Sequence, residues 1–210
     1  MTFARSVIGV PAVIVSVVLL TGCVLGTRQP TLHYPPTSEP GAIPEAHAAL
    51  KPEPKNVHII LDPFVDQRSD KRTVGTTRNA FGMKMADVVP VNSVPDWVMQ
   101  ALKMELQNRG YNVTAGPAGG KSTTDSSAIV SGEILNVYCD MYMNYTGQVS
   151  LFVRVRKGDK DVLDKHYAGE GSAGLAWAAT EESYAQSLAL ALKSAINQLL
   201  PDLDRSLAAQ

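Results

Sequence analysis

The N-terminus of the chain carries an apolar stretch that is too short to span a membrane. It runs from Val7 to Leu20, broken only by small residues and Pro11, and it follows a single cation, Arg5. A transmembrane helix needs roughly 20 apolar residues. A cation followed by a short apolar core is typical of a secretory signal. We therefore expect residues 1–22 to be a signal peptide that takes no part in the folded protein.

The apolar stretch ends in Leu20–Cys23, with the sequence Leu-Thr-Gly-Cys, which resembles the lipobox of bacterial lipoproteins. The resemblance implies cleavage before Cys23 and a mature chain with two or three acyl chains on that cysteine. More than one acyl chain gives lasting membrane anchorage. Lipoproteins of this type that have no Asp directly after the lipidated cysteine usually go on to the outer membrane, and this chain has Val24 there. The resemblance therefore implies an outer-membrane anchor and a domain in the periplasm. A non-lipidated signal with a chance cysteine is the alternative.

Prolines dominate the next segment. Seven of them lie between Val24 and Lys55, at positions 30, 35, 36, 40, 44, 52 and 54. Such a composition cannot bury a core and favours an extended chain. We therefore assign residues 23–55 to the lipidated cysteine and a proline-rich tether. Residues 56–210 form a single domain that is large enough to hold its own core.

Composition and cysteine usage exclude some classes of protein. A net charge of -1 and 45% hydrophobic residues are typical of a globular protein and argue against a nucleic-acid partner. With Cys23 committed to lipid, Cys139 is left alone, so no intramolecular disulfide is expected. Its apolar neighbours predict burial in a strand, with an intermolecular disulfide or a reactive thiol as the alternatives.

Two segments have helical periodicity. The first is capped by Asn92 or Ser93 and ends before Gly110, and its apolar residues are Val94, Trp97, Val98, Ala101, Leu102 and Leu106. The second is capped by Thr180 and runs to Pro201. Its apolar stripe consists of Tyr184, Leu188, Ala191, Leu192, Ile196 and Leu199. Both stripes predict helices with one buried face.

Strand patterns fill most of the remaining domain. We expect strands at 57–61, 111–115, 128–141, near 148–156 and near 162–169, with a hairpin turn at 157–160. The segment 66–89 has no clear period. The order of elements predicts an α/β domain of the α+β type, with a mainly antiparallel sheet of four to five strands and two helices packed on one face.

Several segments together resemble the YajG-like family of uncharacterised bacterial lipoproteins. They are Leu61–Phe64, Asp66–Arg68, Asn79–Met83, Trp97 and Leu106–Tyr111. The resemblance implies a periplasm-facing lipoprotein whose domain is similar to the auxiliary lipoproteins of envelope machinery. It implies no activity and no catalytic residues.

No motif for catalysis, a cofactor or a metal emerges from the residues. The run from Ala115 to Ser122 matches a relaxed P-loop pattern, but a strand follows where a phosphate-binding helix should begin, so we interpret it as a loop and expect no nucleotide. The four histidines are scattered, two of them in the tether, and no metal site is predicted. No nucleophile elbow is present. We therefore expect a protein that is not an enzyme and has no cofactor.

The polar segment 66–85 is the candidate site for a partner or an anion. Its candidate residues are Arg68, Lys71, Arg72, Arg78, Phe81 and Lys84. Such cations can receive a phosphate, a cell-wall carboxylate or an acidic surface. Three nearby carboxylates partly neutralise them, so a solvated loop is the alternative. We expect Phe81 and Met83 to pin the loop to the core, the alternative being an exposed hydrophobic contact.

Aromatic and thioether side chains also gather where two of the expected strands meet. They are Tyr138, Met141, Tyr142, Met143 and Tyr145. Sheet packing is the expected role, with a partner-binding surface as the alternative. On these grounds we expect a non-enzymatic binding or scaffold lipoprotein that meets an envelope protein or a cell-wall partner. The alternative is an accessory or carrier for lipid or glycolipid transport, which requires an apolar cavity.

Overall fold

The computed structural model describes residues 26–34, 55–116, 127–175 and 180–208. Within these residues, eight strands form one sheet and two helices pack against it. The strands are β1 (His58–Leu61), β2 (Val65–Asp66), β3 (Gly75–Arg78), β4 (Lys84–Val88), β5 (Asn112–Ala115), β6 (Ser127–Met141), β7 (Asn144–Lys157) and β8 (Lys160–Leu175). The helices are α1 (Val94–Asn108) and α2 (Glu181–Ala208). Neither helix is long and apolar enough to cross a membrane.

The long strand β6 organises the sheet. One of its edges pairs in parallel with three short strands, β1, β2 and β3, and its other edge pairs antiparallel with β7. Strand β5 adds to β1 in parallel, whereas β4 and β8 pair antiparallel with β3 and β7. The predicted α+β class is confirmed. The predicted sheet of four to five mainly antiparallel strands was wrong, because the sheet is mixed and has eight strands.

Polar sequence hides the strands that were not predicted. Strand β3 reads Gly-Thr-Thr-Arg and lies in the segment without a clear period, yet Thr76 and Thr77 are buried. The Thr76 hydroxyl donates to the carbonyl oxygen of Ala86 at 3.1 Å, and the Thr77 and Tyr184 hydroxyls are hydrogen-bonded at 2.7 Å. A buried hydroxyl with a partner costs little, so this strand does not need the alternating apolar residues by which strands are recognised.

Helix α1 confirms its predicted limits. Ser93 is the N-cap, and its side-chain oxygen accepts a hydrogen bond from the backbone N–H of Asp96 at 3.3 Å. Gly110 follows the C-cap residue with φ of 92°, a left-handed conformation that glycine adopts without strain. Both ends of this helix are therefore fixed by local sequence.

Helix α2 begins as predicted after Thr180 but does not end at Pro201. It continues to Ala208 and buries Leu203 and Leu207 on the way. A proline inside a helix removes one backbone hydrogen bond, and burial of two further leucines offsets that loss. The expected end of the helix at Pro201 was wrong for this reason.

Residues 26–34, which we call the N-terminal strap, belong to the expected tether but lie against the domain. The backbone N–H of Arg28 donates to the carbonyl of Asp87 at 3.0 Å, and the N–H of Val89 donates to the carbonyl of Arg28 at 2.8 Å. The strap thus runs parallel to β4, with Arg28 beside Val88. The expectation of a free tether throughout residues 24–55 was wrong for these residues.

Side chains of the domain hold the other half of the strap. The Asn92 amide accepts from the N–H of Leu32 at 2.8 Å and donates to the Leu32 carbonyl at 2.9 Å, and the Leu32 side chain is buried. The Trp97 indole N–H donates to the carbonyl of His33 at 2.9 Å. A backbone that is hydrogen-bonded on both sides of a buried leucine is part of the fold, although its proline content suggests otherwise.

Cys139 lies within β6 and is fully buried, as predicted. Burial raises the pKa of its thiol to about 12, because a thiolate is poorly solvated there. At neutral pH the residue is therefore a thiol and behaves as a small apolar side chain. The alternatives of an intermolecular disulfide and a reactive thiol find no support.

Candidate binding surface

Arg68 belongs to the predicted partner loop, but it is buried and serves the fold. Its side chain is 5% exposed. It donates to both carboxylate oxygens of Asp66 at 2.9–3.0 Å, and to the carbonyl oxygens of Lys71 and Thr73 at 2.9 Å. Four hydrogen bonds from the five N–H groups of the guanidinium are thus made within residues 66–73. Arg68 holds this turn together and does not offer its charge to a partner.

The other cations of the loop are scattered or already paired. Arg78 donates to Asp140 at 2.8 Å, and Lys84 lies 2.5 Å from Asp87. Arg72 is largely exposed and lies 3.7 Å from the same Asp87. Lys71 is exposed in the turn that Arg68 closes. The structure therefore does not gather these residues into one cationic site, and it leaves Lys71, Arg72 and Lys84 exposed.

The tip of the β3–β4 hairpin holds Phe81 and Met83 away from the core. The Asn79 side-chain oxygen accepts from the backbone N–H groups of Phe81 and Met83, both at 3.0 Å, and Gly82 has φ of 79°. These bonds fix a tight turn beyond the end of the strands. Phe81 is 85% exposed and Met83 is 58% exposed. The expected burial of both side chains was wrong, because the turn leaves them exposed.

The tip of the β6–β7 hairpin lies beside the first tip and is also apolar. The Tyr142 hydroxyl donates to the carbonyl of Ala80 at 3.1 Å, which joins the two tips. Met143 is 68% exposed. Leu175, the last residue of β8, pairs in register with Asn144 and is exposed as well. We call Phe81, Met83, Tyr142, Met143 and Leu175 the apolar end of the domain.

The aromatic and thioether residues predicted as one group are divided between core and surface. Met141 and Tyr145 are buried, and the Tyr145 ring packs edge-on against Tyr184 with centroids 5.0 Å apart. Tyr142 and Met143 belong to the apolar end. Apolar residues next to Asn and Gly in two turns were the sequence signal for this surface, and only their neighbourhood in space could join them.

The surface depressions of the described residues are mixed in character. One of about 430 Å³ lies next to the apolar end and includes Tyr138, Asp140 and Gln148. Another of about 300 Å³ lies on β6 and β7 and includes Arg154 and Arg156. Charged side chains line both, whereas an acyl carrier needs an apolar chamber.

Several features named from the sequence fall outside the described residues. They are the signal peptide at residues 1–22, the lipobox cysteine Cys23, residues 35–54 of the tether and residues 117–122 of the loop that resembles a P-loop. The described part of the chain contains no group of three or more His, Cys, Asp or Glu side chains that could hold a metal ion. The N-terminal strap begins at Gly26, three residues after Cys23.

One solved structure shares the fold at low sequence identity, and another is similar to a lesser degree. Protein XCC0632 from Xanthomonas campestris, of family DUF330, is similar with a TM-score of 0.53 and 10% identity, over 88% of this chain and 97% of that one. The hypothetical protein CT253 from Chlamydia trachomatis has a TM-score of 0.46 and 10% identity, over 73% of this chain and 99% of that one. The first likeness supports the fold alone. No curated protein matches this chain.

A family model does match the sequence. Its description is "Uncharacterized lipoprotein", and the match covers residues 44–207. This confirms the resemblance to YajG-like lipoproteins that the segments from Leu61 to Tyr111 indicate. Because the match includes most of the 210 residues, the chain belongs to this family of uncharacterised lipoproteins.

Proposed function

We propose that this lipoprotein is a non-enzymatic binding or scaffold module, anchored through lipid on Cys23 to the outer membrane and facing the periplasm. The lipobox-like Leu20–Cys23 and the family support the anchor. The observation that carries the binding role is the apolar end, where five large apolar side chains stay exposed together. Contiguous exposed apolar surface is typical of interaction sites.

The anchor has a direct test in the substitution Cys23→Ser. We expect the wild-type chain to incorporate labelled palmitate and to pellet with outer membranes, because two or more acyl chains hold a protein there. The serine variant cannot form the thioether, so label should be absent and the protein should remain in the supernatant. The buried Cys139 serves as the control, since Cys139→Ser should leave labelling unchanged.

Retention of the Cys23→Ser variant in the membrane fraction, or absence of label from the wild type, would refute the anchor. A density gradient then separates inner from outer membranes. Recovery of the labelled protein with inner membranes would contradict the sorting that Val24 implies.

Variants of its exposed cations test the partner surface predicted in the segment 66–85. Arg68 and Arg78 are unsuitable because both are bonded within the fold. We propose Lys71→Ala with Arg72→Ala, and in-cell crosslinking from position 70 as the readout. The matched control is Lys160→Ala on the distant β7–β8 turn. A crosslinked partner that is lost in the double variant alone supports this surface, and a partner that persists excludes it.

A further inference from the structure

We infer that the apolar end is a membrane-contact surface, so that the domain lies with its two hairpin tips against the bilayer that holds the acyl chains of Cys23. This inference rests on the lipid anchor of the proposed function and adds an orientation to it. The apolar end then contacts the lipid surface itself, and this contact is the binding role that its exposed side chains support.

The direction of the N-terminal strap indicates where the chain before it leads. Strand β4 leaves the β3–β4 tip at Lys84 and reaches Val88, and the strap runs parallel to it with Arg28 beside Val88. At Arg28 the chain, followed backwards, therefore runs toward the hairpin tip.

The number of residues between Cys23 and Arg28 limits how far the lipidated cysteine can lie from the strap. Four residues separate Val88 from Lys84, a distance of about 13 Å along a strand. Five residues separate Arg28 from Cys23, and they reach at most about 17 Å. Cys23 can thus come level with the tip but cannot go far beyond it. Acyl chains on Cys23 therefore bring a bilayer to within about 17 Å of Arg28, and the direction of the strap at Arg28 favours the tip end of the domain.

Because the strap is docked, residues 26–34 do not serve as a flexible spacer between the membrane and the domain. Leu32 is buried and both of its backbone groups are bonded to Asn92. The prolines between positions 35 and 54 follow the strap, so they separate it from β1 and add nothing to the distance between membrane and domain. The domain is therefore held at the membrane and not at the end of a long stalk.

The chemistry of the apolar end suits a lipid surface. Phenylalanine, leucine and methionine side chains bury apolar area among lipid tails, and a tyrosine at position 142 can keep its hydroxyl at the headgroup level. The nearest cations are paired, Arg78 with Asp140 and Lys84 with Asp87. We therefore expect a contact that depends on apolar burial and little on anionic lipid.

Site-specific labelling of the lipidated full-length protein tests the orientation. The acylated Cys23 and the buried thiol of Cys139 will not react, so a cysteine introduced as Met143→Cys or Phe81→Cys takes an environment-sensitive fluorophore selectively. The matched control is Asp159→Cys on the β7–β8 turn at the far end of β7. Each variant is reconstituted in vesicles of phosphatidylethanolamine and phosphatidylglycerol that contain nitroxide-labelled lipid.

We expect a blue shift and loss of most of the emission through nitroxide quenching at positions 81 and 143, and neither effect at position 159. Vesicles without phosphatidylglycerol should give the same result. Because Phe81 and Met143 are exposed, these variants should fold as the wild type does, and circular dichroism checks this.

Flotation of the vesicles separates failure of the anchor from failure of the orientation. Protein that does not float overturns the anchor and this inference with it. Protein that floats but shows equal quenching at all three positions, or none, overturns the orientation alone. Disulfide crosslinking between copies through Met143→Cys, with no quenching, would assign the apolar end to self-association and also overturn it.

Discussion

Replacement of Arg68 by methionine will lower the free energy of unfolding by about 3–5 kcal/mol, the usual cost of breaking a buried ion pair by removing one partner. Methionine restores most of the apolar volume of the arginine stem. It leaves the Asp66 carboxylate and the carbonyl oxygens of Lys71 and Thr73 without their donors. Urea denaturation followed by circular dichroism measures the difference.

The effect of this substitution will depend on pH. Burial raises the pKa of Asp66, but hydrogen bonds from Arg68 and its charge outweigh burial, so the pKa lies below its ordinary value. A carboxylate with a lowered folded-state pKa stabilises the protein above the unfolded pKa of about 3.9 and loses that effect as the pH falls through the folded value. The difference between wild type and variant should therefore be constant near neutral pH and shrink below about pH 4.

Arg72→Met is the matched control for Arg68→Met. Arg72 lies four residues away, its side chain is 75% exposed, and its carboxylate partner is 3.7 Å distant. An exposed pair of this kind contributes less than about 1 kcal/mol. Equal losses in the two variants, or a loss for Arg68→Met that does not change with acid, would show that Arg68 is not the centre of the turn.

Long elements with a complete local signal are the part of this fold that the sequence reveals. In β7, Val149, Leu151, Val153 and Val155 are buried and the residues between them are more exposed, as strict alternation predicts. Ser93 and Gly110 mark the two ends of helix α1 in the sequence. These signals depend on neighbours within the same segment, so a single sequence contains them.

Features that depend on contacts between residues far apart in the chain could not be predicted from the sequence. Nothing in the sequence distinguishes Arg68 from Arg72, because only the path of the chain brings two carbonyl oxygens to the first guanidinium. The burial of Leu32 among prolines likewise depends on Asn92, sixty residues away. Of the three short strands on one edge of β6, β1 was predicted, but β2 and β3 are equally hidden, since parallel pairing leaves no local turn signal.

Contacts between distant residues also decide which residues of the candidate site are exposed. The cations of the predicted loop belong to one segment, but pairing with Asp66, Asp87 and Asp140 limits how many of their charges are available. Phe81 was recognised as unusual in a polar context, and the Asn79 turn decided that it points outward. The sequence thus drew attention to the segment, while the hydrogen bonds of the folded chain determine which of its side chains are exposed.

Substitution of Gly169 by alanine will destabilise the protein by about 3 kcal/mol, although alanine is ordinarily better than glycine within a strand. Helix α2 lies directly on the backbone of β7 and β8. A β-carbon at position 169 would be 2.1 Å from the carbonyl oxygen of Ala191 and 2.5 Å from the backbone nitrogen of Ala195. These are helix backbone atoms, so no side-chain rotation can relieve the overlap and the helix itself must move.

Gly158→Ala separates this overlap from the general effect of losing a glycine. Gly158 lies in the β7–β8 turn with φ of 60° and no heavy atom within 4 Å of an added β-carbon, so only backbone strain of about 1 kcal/mol is expected. Gly147→Ala, whose β-carbon would be 2.5 Å from the carbonyl oxygen of Ser187, should resemble Gly169→Ala. If Gly169→Ala is as stable as the wild type in urea denaturation, α2 cannot lie this close to the sheet. The packing between α2 and the strands β7 and β8 would then be looser than the structure shows.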